Sequence, residues 1–390
     1  MESAKLTFTG DIMAGAEIDR KFHRDDNSFD YSPYFENCSK LFAGSDYVIG
    51  NLETPLAGEA VGYSSATYCF NTPLEFARAI KQAGIKLINT ANNHCMDRDY
   101  SGLLATLKNL DELDLPHVGT SCSMAERENG VIVNINGIKF GFSAYTYGTN
   151  AFAHHLYLPE EAKFAVNLLQ PEEELPGAIH LLNSNLEIGR AVSRIYRPDN
   201  ALFQQHIAPL QRQMVKEWLQ LRHRGAEIII MLLHSGGQYN IDLDPFTERV
   251  VEFITGSGLV DLVIGNHPHV PQIGKLVNNV PVAFSLGNFA YHPRIEPDNR
   301  RNLAEYSLLP TAEFTRDQTG KARFKNMKFR ITKSVNCSDK FTRVMDSSML
   351  SEQLSGRELT KLQNDLRQVA TRAKGVASDE IELTAIYDWL

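Results

Sequence analysis

The stretch PLEFARAIKQAGIKLINTANNH, residues 73–94, contains the pattern on which the predicted fold depends. Its first part begins with proline and ends with glycine, which predicts a helix over residues 73–84. The apolar run IKLINT predicts a strand over residues 85–90, and the polar residues ANNH follow it directly. A second predicted helix, residues 100–113, and a short strand, residues 116–119, come next. Strands that alternate with helices in this way predict an α/β fold with a parallel sheet.

Five more short polar motifs occupy the same position, directly after an apolar run. They are GDIM (residues 10–13), NLET (51–54), HSGG (234–237), GNHPH (265–269) and SLGN (285–288). The apolar runs in the second half of the chain are apolar on both faces, which is typical of strands in a sheet covered on both sides. Residues 304–332 alternate between apolar and polar, which predicts antiparallel strands, and residues 347–374 have the pattern of a helix.

The composition of the 390 residues is that of a globular protein, with 43% hydrophobic and 22% charged residues. The net charge is -8 and no basic stripe is present, so we expect no nucleic-acid partner. Five cysteines without a CxxC motif favour a reducing compartment. Cys95 is better explained as a small buried side chain than as a metal ligand. We expect no membrane span and a cytoplasmic location, although a removed signal or anchor is compatible with the same sequence.

The six motifs together supply carboxylate, amide and imidazole groups. The candidate metal ligands are Asp11, Glu53, Asn93, His234, His267 and His269. Loops at the carboxyl ends of strands are where open α/β sheets bind their ligands. Oxygen and imidazole ligands without thiolate favour Mn, Fe or Zn, with Mg also possible. A set of six with a shared carboxylate predicts two divalent metal ions and hydrolytic chemistry.

Each candidate residue also has a simpler interpretation when it is considered alone. A single histidine after a strand is commonly structural, and Asn51, Asn92 and Asn288 are of a residue type that suits tight turns. A scaffold without metal, however, would leave Asp11 and Glu53 as neighbouring like charges without a counter-ion, which is electrostatically costly. The combination of all six motifs therefore favours a metal centre.

The order GDIM, NLET, ANNH, HSGG, GNHPH and SLGNF resembles that of the CapA-type poly-γ-glutamate synthesis proteins, a branch of the calcineurin-like metallophosphoesterase superfamily. The resemblance covers residues 5–291. It implies a four-layer αββα sandwich with two mixed β-sheets, a binuclear metal site and a part in capsule biosynthesis. We expect a domain over residues 5–332, in which residues from about 149 to 200, including His154 and His155, form an insertion or lid beside the site. A C-terminal helical extension is expected over residues 333–390.

The resemblance also implies roles for individual residues. Asp11 matches the first metal-binding aspartate, Glu53 stands at the place of the bridging aspartate, and Asn93 matches the asparagine ligand. His234, His267 and His269 match the histidine ligands, and His94 matches the histidine that contacts the substrate and assists proton transfer. Asn51, Asn92 and Asn288 are expected to support the ligands or to bind substrate. The chain departs from the superfamily at Met13, where a histidine ligand is usual, and in the longer side chain of Glu53.

Two functions follow as expectations. The first is a metal-dependent hydrolase that acts on a phosphate ester or an amide-like γ-glutamyl bond in a small molecule or polymer. The alternative is a non-hydrolytic component that binds polymer or organises partners in a poly-γ-glutamate synthesis complex. Loss of the imidazole at Met13 favours the alternative, and the complete motif set favours the hydrolase.

Overall fold

The structure is a computed structural model that describes residues 2–64, 69–172, 184–291, 302–337, 339 and 341–390. Part of the predicted insertion, residues 173–183, lies outside the described residues. In chain order the strands are β1 (Ser3–Ile12), β2 (Tyr47–Leu52), β3 (Leu87–Asn89), β4 (His117–Val118), β5 (Val131–Ile135), β6 (Ile138–Thr146), β7 (Ile228–His234), β8 (Leu262–Asn266), β9 (Gly274–Val277), β10 (Val280–Ala283), β11 (Asn288–Ala290), β12 (Tyr306–Arg316), β13 (Ala322–Asn336), β14 (Thr342–Asp346) and β15 (Tyr387–Asp388).

These strands form two mixed sheets. The first has the order β14-β13-β12-β1-β2-β3-β4, with β11 beside β1 and β15 beside β13. Strands β1 to β4 are parallel, while β12, β13 and β14 are antiparallel to their neighbours. The second has the order β5-β6-β7-β8-β10-β9, with parallel strands in the centre and an antiparallel strand at each edge. The predicted pair of mixed sheets is confirmed.

Helices surround the two sheets. The α-helices are Ala16–Phe22, Cys38–Leu41, Leu74–Gln82, Asp99–Glu112, Met124–Asn129, Ala151–His154, Asn185–Ile195, Ala208–His223, Pro245–Gly256, Ser347–Gln353 and Gly356–Lys374. Short 3-10 turns occupy Ser32–Tyr34, Glu59–Val61, Glu160–Ala165 and Ser378–Glu380, and a π-helical turn occupies Phe203–Ile207. Among the described residues, no helix combines the length and the apolar character that a membrane crossing requires.

The strand β7 shows why the central strands are apolar on both faces. Side chains alternate between the two faces of a strand. Ile228 and Ile230 lie in the core between the two sheets, where they meet residues of β1 and β6 such as Phe8. Ile229 and Met231 point to the other face and pack against the outer helices. The resulting order of helix, sheet, sheet and helix is the expected αββα sandwich.

The C-terminal part of the chain is built into the same core. Residues 347–374, predicted as one helical segment, form the two helices Ser347–Gln353 and Gly356–Lys374. The longer helix buries Leu362, Leu366 and Val369. Strand β13 continues past residue 332, and β14 and β15 pair with it. The division of the chain into domains at residue 332 stays a prediction.

Candidate metal centre

The predicted ligands meet where strands of both sheets end. Asp11 lies at the end of β1, Glu53 directly follows β2, and His234 is the last residue of β7. His267 directly follows β8, and the loop continues to His269. All of these side chains are buried, as is that of Asn93 in the loop after β3. The parallel arrangement of these strands therefore brings together residues that are far apart in the sequence.

Two groups of potential metal-binding atoms share one residue. Asp11, Glu53 and His234 offer ligand atoms that all lie within 4.8 Å of one another, and so do Glu53, His267 and His269. His234 Nε2 lies 3.4 Å from Glu53 Oε1, and His269 Nε2 lies 3.7 Å from the same oxygen. His269 Nδ1 lies 3.2 Å from Asp11 Oδ2. Glu53 is therefore the residue that the two groups have in common.

Several electron-pair donors converge on one nitrogen of His234. Asn93 Oδ1 lies 2.7 Å and His267 Nδ1 lies 3.2 Å from His234 Nε2, beside the contact with Glu53. A single proton on this nitrogen can satisfy only one of these acceptors. A cation would satisfy several of them at once, so the donor set fits a metal ion.

The electrostatic state of the centre also suits a cation. Glu53 is buried, and among the described residues neither of its carboxylate oxygens has a hydrogen-bond donor. Burial and the charge of Asp11 raise the pKa of Glu53 well above its usual value. For Asp11 burial acts in the same direction, but His269, His234 and Asn51 outweigh it and lower the pKa. Two neighbouring carboxylates without a full counter-charge are what a divalent cation would stabilise.

Burial also determines the state of two imidazoles. It lowers the pKa of His234 to about 3 and the pKa of His267 well below its usual value. Both rings are therefore neutral near pH 7. A neutral imidazole is the form that binds a metal ion.

Three asparagines hold the candidate ligands and their loops. Asn51 Nδ2 donates to Asp11 Oδ1 at 2.7 Å, and Asn89 Nδ2 donates to Asn51 Oδ1 at 2.9 Å. Asn288 Nδ2 donates to the carbonyl oxygen of His269 at 3.2 Å, and its Oδ1 lies 3.0 Å from His269 Nδ1. Asn51 and Asn288 thus orient candidate ligands, and Asn89 is an additional member of this network.

Asn92 has a different part, because it shapes the loop after β3. Its Nδ2 donates to the carbonyl oxygen of Leu52 at 2.7 Å, and its Oδ1 accepts the backbone N–H of His94 at 3.1 Å. These bonds connect the loop to the end of β2. Asn92 therefore has the role of a turn-forming residue, which is the simpler interpretation that the sequence offered.

The loop that carries the paired histidines has an unusual backbone. His267 has a backbone φ of 100° and His269 has a backbone φ of 57°. Residues other than glycine rarely adopt positive φ angles. Such conformations persist only where the surrounding structure imposes them, and they are common at functional sites. Gly265 precedes this loop, and a Cβ at this position would lie 2.0 Å from the carbonyl oxygen of Phe284. Glycine is therefore required at position 265, near the end of β8 and just before the loop that carries His267 and His269.

His94 lies next to the ligand groups and is oriented by a residue that the sequence analysis missed. Its Nδ1 lies 2.7 Å from Asp97 Oδ2, which also accepts the backbone N–H of Phe70 at 2.7 Å. The rings of Phe70 and His94 are 4.5 Å apart. Asp97 follows His94 by three residues, and this spacing was the available signal for the pair. The carboxylate therefore engages Nδ1 and orients the ring.

The segment after β6 adds two further contacts that the sequence did not single out. The ring of Tyr147 lies 4.5 Å from that of His267. Asn150 Nδ2 lies 3.4 Å from His94 Nδ1, and Asn150 Oδ1 accepts from Asn93 Nδ2 at 3.2 Å. The beginning of the predicted insertion thus contacts both a candidate ligand and His94.

Two other residues discussed from the sequence lie outside both ligand groups. Met13 is buried, and its backbone N–H donates to the carbonyl oxygen of Ala290 at 3.0 Å. Cys95 is buried in an apolar cluster with Met96 and Leu103, and burial raises the pKa of its thiol. The packing of Cys95 agrees with its interpretation as a small buried side chain.

Two known proteins with similar sequences are named for capsule or PGA biosynthesis. The chain is 26% identical over 315 residues to a capsule biosynthesis protein, CapA, of Bacillus anthracis, covering 79% of this chain and 65% of that protein. It is 23% identical over 308 residues to a PGA biosynthesis protein, CapA, of Bacillus subtilis strain 168, covering 77% of this chain and 67% of that protein. The chain thus spans about two thirds of the length of these relatives.

Solved structures with a similar fold have lower sequence identity to this chain than these relatives. The calcineurin-like phosphoesterase YfkN from Bacillus subtilis has a TM-score of 0.45 and 12% identity, covering 95% of this chain and 97% of that one. The protein TT1561 of Thermus thermophilus has a TM-score of 0.35 and 9% identity, covering 78% of this chain and 93% of that one.

A family model matches most of the chain. The model described as "Bacterial capsule synthesis protein PGA_cap" covers residues 5–292. This match includes all six motifs and every candidate ligand, and it agrees with the resemblance seen in the motif order. The chain therefore belongs to the bacterial capsule synthesis protein family PGA_cap.

Proposed function

We propose that the chain is a metal-dependent hydrolase whose centre would hold two divalent cations, with Glu53 among the residues that would hold each of them. The observation that carries the proposal is that Glu53 is buried, has no hydrogen-bond donor among the described residues and belongs to both ligand groups. The substrate class is a phosphate ester or a γ-glutamyl compound related to a capsule polymer. The relatives named for capsule and PGA biosynthesis support this class.

The proposed ligands divide into two groups. One cation would be held by Asp11, His234 and Glu53, with the amide oxygen of Asn93 beside His234. The other would be held by Glu53, His267 and His269. Oxygen and imidazole donors without thiolate favour Mn, Fe or Zn, and Mg is compatible with the carboxylates.

The chemistry of the reaction is divided between the cations and the chain. The cations would supply the charge that lowers the pKa of a water and stabilises negative charge on the attacked group. His94 moves a proton through Nε2, because its Nδ1 is held by Asp97. Asn51 and Asn288 keep Asp11 and His269 in place, so that the ligands need little rearrangement.

A second candidate function is a non-hydrolytic component of a polymer-synthesis complex that binds polymer at this site. Met13 favours it, because a thioether stands where the superfamily usually has an imidazole ligand. A weakened cation site would retain affinity for carboxylate-rich polymer with little or no turnover.

Turnover by the metal-loaded protein separates the two candidates. We would assay p-nitrophenyl phosphate mono- and diesters and γ-glutamyl p-nitroanilide, with His94→Gln as the active-site variant and His223→Gln as the control at the end of the helix Ala208–His223. We expect turnover by the wild type, a loss of about 100-fold or more in His94→Gln and no change in His223→Gln. No turnover of any substrate by protein with bound metal would favour the binding component.

A further inference from the structure

We propose that His154 is a positioning residue that acts on His94 through Asp97. The inference rests on the proposed function, because it assigns a residue to the proton transfer of the same site. His154 is the last residue of the helix Ala151–His154, in the segment after β6. It belongs to neither ligand group, and the pair of His94 and Asp97 described above does not include it.

The carboxylate of Asp97 is used on one side only. Its side chain is fully buried. Oδ2 accepts the backbone N–H of Phe70 and faces His94 Nδ1, both at 2.7 Å. Oδ1 is buried and has no hydrogen-bond donor among the described residues. A buried acceptor without a donor is costly, so a donor is expected opposite this oxygen.

His154 supplies a nitrogen at this position. Its Nε2 lies 3.7 Å from Asp97 Oδ1, within ion-pair distance, and this nitrogen is itself buried without a hydrogen-bond partner among the described residues. A usual N–H···O bond is about 2.9 Å long, so an approach of less than about 1 Å completes the bond. A donor and an acceptor that both lack partners thus face each other across a short gap.

The backbone around His154 connects it to the metal centre. The helix Ala151–His154 is flanked by Asn150 with φ of 56° and His155 with φ of 54°. Asn150 contacts Asn93 at 3.2 Å and His94 at 3.4 Å. The same four-residue helix therefore has contacts with the site at both of its ends.

The expected consequence is a fixed ring of His94. A carboxylate with both oxygens engaged cannot rotate, and the imidazole that it binds keeps its orientation and tautomer. His154 contacts neither the substrate nor a cation in this account. It acts through Asp97, and its loss should lower the rate more than the binding of substrate.

Three variants test this inference. His154→Phe keeps a ring but removes the donor, His154→Gln restores an N–H group at a similar distance, and His155→Gln is the control at the neighbouring histidine. With the p-nitrophenyl phosphate ester that the wild type hydrolyses, we expect His154→Phe to lower kcat about tenfold and to change KM less than about twofold. His154→Gln should keep most of the activity and His155→Gln all of it. Equal kcat in His154→Phe and the wild type, or an equal loss in the Phe and Gln variants, would overturn the inference.

A second measurement keeps the inference separate from the proposed hydrolase activity. The proton on His94 Nδ1 is observed by NMR of 15N-histidine-labelled protein, with His94→Gln to assign it. We expect a slowly exchanging signal in the wild type that is broadened or lost in His154→Phe and kept in His154→Gln. If the wild type turns over no substrate but these signals differ as stated, the positioning role stands and the proposed function fails. An unchanged signal in His154→Phe would show that His154 does not hold Asp97.

Discussion

Glu53 shows how a single residue can indicate a bound ion. Its carboxylate is buried next to that of Asp11, and among the described residues no donor binds either oxygen. A buried charge in this state costs several kcal/mol unless a positive charge is close. His234 and His267 are neutral near pH 7 because burial lowers their pKa values, so they supply lone pairs and no positive charge. The residues of the centre are therefore compatible with a bound cation.

Asp19 lies outside this centre and gives a prediction of its own. It accepts a hydrogen bond from the hydroxyl of Tyr31 at 2.6 Å, and its Oδ2 is buried without a partner among the described residues. Burial raises the pKa of Asp19 to about 7, although the hydrogen bond from Tyr31 lowers it in part. In the unfolded chain the pKa of an aspartate is about 3.9.

Because the folded-state pKa of Asp19 is raised, its contribution to stability is complete below about pH 4 and is lost as the pH rises through about 7. We expect the free energy of unfolding of the wild type, relative to that of Asp19→Asn, to fall by roughly 2 kcal/mol between pH 5 and pH 8. Asparagine keeps an acceptor for Tyr31. Urea unfolding at the two pH values measures the difference, and parallel pH dependence in both proteins would show that Asp19 is ionised throughout.

At the residue scale the sequence singled out the candidate ligands more completely than the residues that contact them. Asp11, Glu53 and His234 were singled out because each follows an apolar run and carries a group that can bind metal, and their role as ligands stays a prediction. Asn150 was missed because an asparagine far along the chain has no distinct pattern, and its contact with His94 depends on tertiary packing. Asp97 was missed although it lies only three residues after His94, a spacing that could have indicated the pair.

At the scale of secondary-structure elements, the strands and their ends set the geometry of the centre. The elements predicted from residues 73–94 appear as the helix Leu74–Gln82 and the strand β3. Proline, glycine and an apolar run fix these elements locally, so they could be read from the sequence. The backbone of His267, with φ of 100°, could not be predicted, because the fold imposes it against the local preference of the residue.

Gly265 tests how strongly the end of β8 controls this loop. In Gly265→Ala the Cβ would lie 2.0 Å from the carbonyl oxygen of Phe284, so the strands must separate. We expect a loss of about 2 kcal/mol or more in stability and a loss of bound metal. The control is Gly256→Ala at the end of the helix Pro245–Gly256, where the nearest atom is 3.7 Å from the added Cβ. Thermal unfolding and metal analysis of both variants check the result, and equal stability of the two would refute the requirement for glycine.

In the whole molecule, the C-terminal helix is part of the core that supports the centre. Leu366 on the helix Gly356–Lys374 is buried in the cluster between the sheets, and Asp365 accepts a hydrogen bond from Tyr306 of β12 at 2.8 Å. The sequence predicted a helix in this region. It did not predict that β14 and β15 would join the first sheet, because such pairings link residues that are distant in the chain.

Leu366→Ala should therefore lower the stability of the whole fold by about 2–5 kcal/mol. Leu219→Ala is the matched control, because Leu219 is 51% exposed on the helix Ala208–His223 and its loss should have little effect. Circular dichroism and intrinsic fluorescence would follow unfolding in urea. If the Leu366→Ala protein unfolds its C-terminal helix first, in a separate transition, the helix is not part of the common core.

The metal content of the purified protein tests the central proposal most directly. Wild type, Glu53→Gln and the exposed control Glu112→Gln would be prepared without chelator, reconstituted with Mn, Fe or Zn, desalted and analysed by inductively coupled plasma mass spectrometry. We predict about two equivalents of metal in the wild type and in Glu112→Gln, and loss of most of both in Glu53→Gln, because both ligand groups contain Glu53. Two equivalents retained in Glu53→Gln, or none bound by the wild type after reconstitution, would contradict a binuclear centre bridged by Glu53.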